Sequence, residues 1–303
     1  MYTLVYPPEN PCGCGSGREF GKCCLKDGQI KVSLKFLNPP KPQTSHQNRK
    51  CILKWTSDCC NKISGDHIVS KAVLRVLTEK NITLSSSGFS REHSIHGDSL
   101  KVNRLCKRHN SALSPIDNEA ARFFKAFVAI HNSMMSNAAS QKLYFFHGID
   151  IERWMLKTML MAYYAKLSNI TPEKYKLPPY TLNLFQSTLG QPLGIYIPTS
   201  TNQNGKDFFV TANEASICIL TYEDIVSGVT ISLGGLSLTL VIYGNDEIFH
   251  RLAMSYTYRP MNLLFFKEDE VYAIQTTFPN WQGKDIWFSF GLPNADIPVS
   301  PSP

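Results

Sequence analysis

Apolar and polar positions change period along this chain. Ala120, Phe123, Phe124, Phe127 and Ile130 recur at helical spacing. Ser114-Pro115-Ile116-Asp117 just before them reads as a break and an N-terminal cap. Residues 151–167 form a second long helical pattern, with Trp154, Leu156, Leu160 and Tyr164 expected in a core. Residues 143–146 suit a strand. From about residue 193 the period shortens to two. Strands are expected at 193–197, 208–211, 217–222, 261–266 and 271–276. The clearest signal is a hairpin over 229–233 and 236–240. Apolar residues alternate there with Ser and Thr, and Gly234-Gly235 supplies the positive φ angles of a tight turn. The pattern predicts an α+β fold with antiparallel strands in its C-terminal domain.

The first third looks different. Residues 1–26 are Cys/Gly-rich and too short for a hydrophobic core of their own. Residues 27–50, with Asn38-Pro39-Pro40-Lys41-Pro42 and a polar run, read as a basic linker. Residues 51–118 carry metal-ligand side chains. Their middle, 81–99, is rich in Ser, Gly and His and reads as a loop, with His93 and His96 as solvated residues. Residues 119–295 form the expected C-terminal domain, and 296–303 a disordered tail. No repeats are present.

Length allows two domains and a sizeable core. The composition, 43% hydrophobic and 18% charged, is that of an ordinary soluble globular chain. The longest apolar stretch, 154–167, is interrupted by Lys157 and Lys166, so no membrane span is expected. The N-terminus has no signal-peptide pattern, and the expected location is the cytoplasm.

Charge is unevenly spread. Residues 1–115 hold 18 Lys+Arg against 8 Asp+Glu, and residues 116–303 hold 13 against 16. The positive field therefore lies in the cysteine-bearing part, where it would concentrate a polyanion such as nucleic acid. Eight of the nine cysteines precede residue 107. Clusters of this kind in a cytoplasmic chain read as metal ligands before disulfides.

Two ligand sets stand out. Cys12-x-Cys14, eight residues, then Cys23-Cys24 offers four thiolates, with glycines between them for a tight backbone. This stretch resembles the SEC-C zinc knuckle. The resemblance implies a docking or stabilising unit and names no reaction.

The second set is Cys51, Cys59-Cys60, Asp66-His67, then Asn103-Arg104-Leu105-Cys106-Lys107-Arg108-His109-Asn110. Phosphodiester hydrolysis needs a deprotonated water, and His67 can take that proton near neutral pH. It also needs positive charge against the phosphate, which a divalent ion supplies. Asp66 and the Asn110 amide oxygen are hard ligands suited to Mg²⁺ or Mn²⁺. Arg104, Lys107 and Arg108 flank them and can meet phosphate. Over residues 51–114 the chain resembles the HNH endonuclease family, in which a β-hairpin and a helix grip one metal. The resemblance implies a catalytic role for His67, metal binding by Asp66 and Asn110, and a match of Asn103 to the residue that orients the base. Asn110 stands where the family has a final His, and Asn103 lies closer to Cys106 than usual. Structural zinc would be held by Cys51, Cys59, Cys106 and His109, with Cys60 as the alternative to Cys59.

The expected function is a metal-dependent endonuclease acting on nucleic acid, with DNA as the preferred target. Fold-level analogy suggests anti-phage defence. A regulatory partner, or a second copy, would bind through the knuckle or the C-terminal domain. The alternative is a non-catalytic adaptor whose zinc modules bind nucleic acid or protein. No nucleophile–base set in the C-terminal half supports an active site there.

Overall fold

The computed structural model describes residues 6–77, 82–85, 93–95, 101–136, 141–166, 169–199, 214–267, 270–281 and 283–289. The fold is α+β. A minimal hairpin, β1 (Leu25–Lys26) and β2 (Gln29–Ile30), follows the first cysteine cluster. Next comes β3 (Ile63–His67), then the short helix α1 (Lys71–Leu77). Two strands, β4 (Ile82–Ser85) and β5 (His93–Ile95), pair within the stretch expected to be a loop. The Ser-rich sequence hid them because β4 gains its place by pairing in parallel with a strand of the C-terminal half, a contact no local pattern encodes.

Strand β6 (Lys101–Cys106) pairs antiparallel with β3 and runs directly into α2 (Lys107–Ser136). The break expected at Ser114-Pro115 is absent, because α2 continues through Pro115. A proline inside a helix costs about 3 kcal/mol. Leu113 and Ile116 beside it are buried, each worth roughly 1.5–3 kcal/mol, which is enough to hold the helix together. The domain boundary expected near residue 118 falls inside this helix. One hydrophobic core runs across it, from Cys51 and Leu53 through Phe124 and Trp154 to Phe288.

Strand β7 (Leu143–His147) leads into α3 (Gly148–Ala165). The C-terminal half adds β8 (Gly194–Pro198), β9 (Glu214–Tyr222), β10 (Ile225–Leu233), β11 (Leu236–Val241), α4 (Asp246–Ser255), β12 (Tyr256–Tyr258), β13 (Asn262–Lys267), β14 (Glu270–Thr277) and β15 (Ile286–Ser289). The expected hairpin is β10–β11, with Leu233 opposite Leu236 and both turn glycines at positive φ. The strand expected at 208–211 and the tail at 296–303 lie outside the described residues.

A seven-stranded sheet has the order β12-β8-β11-β10-β9-β4-β5, and a four-stranded sheet the order β15-β13-β14-β7. Neither is purely antiparallel, since β4–β9 in the first and β13–β15 and β14–β7 in the second run in parallel. Helix α3 packs on β9, β10 and β11, while α2 packs on β7 and β14. Between them Trp154 meets Phe124 edge-on, and Phe123 meets Phe146 likewise.

Every residue of α3 from Gly148 to Tyr163 is buried. Its charged side chains therefore need partners, and each finds one on another segment. Asp150 accepts the Lys35 backbone N–H on both oxygens at 2.9 Å. Glu152 pairs with Arg259 at 2.8 and 2.9 Å. Arg153 donates to the Lys35 carbonyl at 2.8 Å. These contacts pin part of the segment expected to be a linker. Thr44 pins another part, donating from its N–H to Asp58 and from its hydroxyl to the Cys59 carbonyl.

Candidate functional site

The four thiol sulfurs of Cys12, Cys14, Cys23 and Cys24 all lie within 4.8 Å of one another. Cys14 and Cys23 are 3.5 Å apart, and Cys23 and Cys24 are 3.9 Å apart. Tetrahedral zinc with bonds of about 2.3 Å to sulfur sets roughly 3.8 Å between ligand sulfurs, so the set fits zinc. Gly15 and Gly17 take positive φ and let Cys12 N–H reach the Arg18 carbonyl at 2.7 Å. Arg18 also donates to the Cys23 sulfur at 3.3 Å. One side of the knuckle is packed inside the chain. Phe20 stacks on Phe145 of β7 at 4.8 Å, and Arg122 of α2 donates to the Gly13 carbonyl at 2.6 Å.

The second set is Cys51, Cys59, Cys106 and His109, all buried and again within 4.8 Å. His109 Nδ1 lies 3.5, 3.6 and 3.2 Å from the sulfurs of Cys51, Cys59 and Cys106. Tetrahedral zinc requires about 3.6 Å between nitrogen and sulfur ligands. The Cys60 sulfur turns away, taking the Arg108 N–H at 3.4 Å, so Cys59 is the member of the cluster. Burial pushes the Cys51 thiol up to about 12, and a bound cation would reverse that preference. Burial lowers the His109 pKa, which favours the neutral imidazole that ligates metal.

Thr56 was not legible as part of this site. Its hydroxyl lies 2.9 Å from His109 Nε2 and donates to the Leu53 carbonyl at 2.9 Å. It therefore accepts the Nε2 proton and leaves Nδ1 for the metal.

The Cys106-x-x-His109 pair straddles the junction of β6 and α2, so the cluster fixes the angle between hairpin and helix. Asp66 and His67 end β3 opposite Val102 and Lys101, just after a bulge between Ser64 and Asp66. The Asn110 amide donates to the Ser64 hydroxyl at 3.1 Å, in the first turn of α2. Exposed Asn103 lies across the hairpin, its Oδ1 beside the bulged Gly65. Asp66, His67 and Asn103 thus lie on the bulged β3–β6 pair, and Asn110 at its Ser64 end in the helix it feeds. His93 contributes only backbone to the described residues, in β5, and His96 lies outside them.

Asp66 is buried, with one oxygen hydrogen-bonded and the other in an ion pair. Oδ1 accepts the His67 N–H at 3.0 Å, and Oδ2 lies 2.9 Å from Lys157 Nζ of α3. The same ammonium donates to Asp117 of α2 at 2.6 Å. Burial alone would lower the Lys157 pKa, but attraction to Asp117 and Asp66 outweighs it and the net shift is upward. Burial also pushes the Asp117 carboxyl up, against the pull of Lys157. A divalent ion does not fit this arrangement, because the carboxylate expected to hold it already carries a cation.

The three basic residues are placed differently from one another. Lys107 is exposed. Half-buried Arg104 lies over the Tyr164 ring at 5.4 Å. Arg108 pairs with Asp58, Nε at 2.9 Å from Oδ1 and Nη2 donating to Oδ2 at 2.9 Å, and also donates to the Pro42 carbonyl. That pairing holds the Asp58 carboxyl below its usual range, although burial opposes it.

Among the described residues no helix is long and apolar enough to cross a membrane. No protein-family model, curated protein or solved structure matches the chain.

Proposed function

We propose that the chain is a zinc-supported endonuclease of the HNH kind, hydrolysing phosphodiester bonds of nucleic acid, with DNA as the substrate class. One observation carries this: β3 and β6, though separated by α1, β4 and β5, form an antiparallel pair that feeds α2, and a four-ligand cluster clamps the join. Asp66, His67 and Asn103 lie on this strand pair, and Asn110 stands in the first turn of α2, bonded to Ser64. His67, half-buried at the strand end, takes the proton from the attacking water as its oxygen bonds to phosphorus. The P–O bond to the leaving oxygen breaks, and that oxygen takes a proton from solvent. Arg104 and exposed Lys107 meet the phosphate. Zinc at the two clusters is structural, since four protein ligands leave no open position. No step is assigned to Mg²⁺ or Mn²⁺ while Lys157 stands at Asp66. Two thiolate-rich centres suit a reducing compartment, the cytoplasm. Anti-phage defence remains an analogy with other nucleases of this kind. A regulatory partner or second copy is proposed to act through the C-terminal half.

A non-catalytic adaptor is the second candidate, and the Lys157–Asp66 pair favours it. The test is direct. Zinc-loaded protein is incubated with supercoiled plasmid and with RNA, with and without Mg²⁺ or Mn²⁺. Strand scission supports the nuclease. Tight binding with no scission under any condition supports the adaptor.

A further inference from the structure

Lys157 is the only charged residue in the turn of α3 between Met155 and Met159, and its side chain is 2% exposed. A buried lysine is costly unless carboxylates surround it. Here Asp66 comes from the hairpin, Asp117 from α2 and Lys157 from α3, so the ammonium joins three elements. Asp66 in turn accepts the His67 backbone N–H. The end of β3 that carries the candidate base is therefore tied, through Asp66, to a residue from the opposite half of the chain.

We propose that Lys157 acts as the resident cation of Asp66, holding this carboxylate at the His67 backbone N–H and competing there with any divalent ion. The competition is electrostatic. A divalent ion bound to Asp66 would sit within a few ångströms of the ammonium in a site of low dielectric, where like charges repel strongly. Metal at Asp66 would have to displace the ammonium or bind against its charge. Asp150 and Arg153, on the same face of α3, are bonded to Lys35 and resist any shift of that helix. The importance of the pair for catalysis rests on the nuclease proposed above, but the competition itself does not.

Mn²⁺ binding to the zinc-loaded full chain, followed by electron paramagnetic resonance and calorimetry, tests this without reading activity. Lys157→Met should bind one Mn²⁺ at least about 10-fold more tightly than wild type. Asp66→Asn in the same background should abolish the gained site. Should Lys157→Met fail to fold, Lys157→Gln keeps a donor for both carboxylates without the charge. Equal Mn²⁺ affinity in wild type and the neutral variant would overturn the proposal. So would a micromolar wild-type site that disappears in Asp66→Asn. A chain that cuts no substrate leaves these outcomes untouched, so failure of the nuclease and failure of the competition are separable.

Discussion

Lys157 Nζ lies 2.9 Å from Asp66 Oδ2, joining the buried helix of the C-terminal half to the acid beside the candidate base. With Asp117 it forms a buried triad that is half-satisfied if any member is removed. Lys157→Met should therefore destabilise the fold by about 3–5 kcal/mol, the usual cost of stranding buried charge. Adding Asp66→Asn and Asp117→Asn should recover a large part of that loss. Urea denaturation of wild type, the single variant and the triple variant measures it. A single variant as stable as wild type would show that the triad is solvated.

Zinc content separates the two clusters. Elemental analysis should find about two zinc ions per chain, with one lost in Cys14→Ser and the other in Cys106→Ser. Thr56→Val removes the partner of His109 Nε2 and should weaken the second site by about 10–100-fold without touching the first. A chelator titration that leaves Thr56→Val indistinguishable from wild type would remove Thr56 from the site.

The basic residues near the hairpin should part in their effects. Lys107→Gln should weaken binding to duplex DNA and flatten its log–log salt dependence by about 0.9 per lost phosphate contact, with stability unchanged. Arg108→Gln should mainly lower stability, because it breaks the Asp58 pair and the bond to Pro42. The reverse pattern would make Arg108 the phosphate contact.

His147 gives a pH signature. Burial, with a smaller push from Arg153, lowers its pKa to about 4. Unfolded, it would titrate near 6.5, so between those values the unfolded chain binds the extra proton. Stability from this group is full above about 6.5 and falls by roughly 3 kcal/mol as pH drops through the window to about 4. In His147→Gln that slope should vanish. Comparing both proteins with zinc in excess removes the shared loss of thiolate ligands. Parallel acid limbs in the two proteins would contradict the buried neutral imidazole.

The sequence carried some of this plainly. The β10–β11 hairpin was legible because its period and Gly-Gly turn are local. Both cysteine sets were legible because ligand type and spacing are chemistry in the sequence itself. Other features, besides Thr56, were not. Strand β4 depends on a partner more than a hundred residues away. Helix α2 passes Pro115 because tertiary burial outweighs a local breaker. The Lys157 contact has only one signal in the sequence, a lysine inside an otherwise apolar helical run. That signal says that a buried partner is needed, and it cannot say that the partner is Asp66.

Cleavage by His67→Ala beside wild type tests the proposed chemistry most directly. Both proteins, matched for zinc content and thermal midpoint, are assayed on supercoiled plasmid. A nuclease using His67 as its base should lose about 10²–10⁴-fold in scission rate while retaining both zinc ions. Scission at the wild-type rate in His67→Ala would contradict the assignment of the base and leave the hairpin as a zinc-held scaffold.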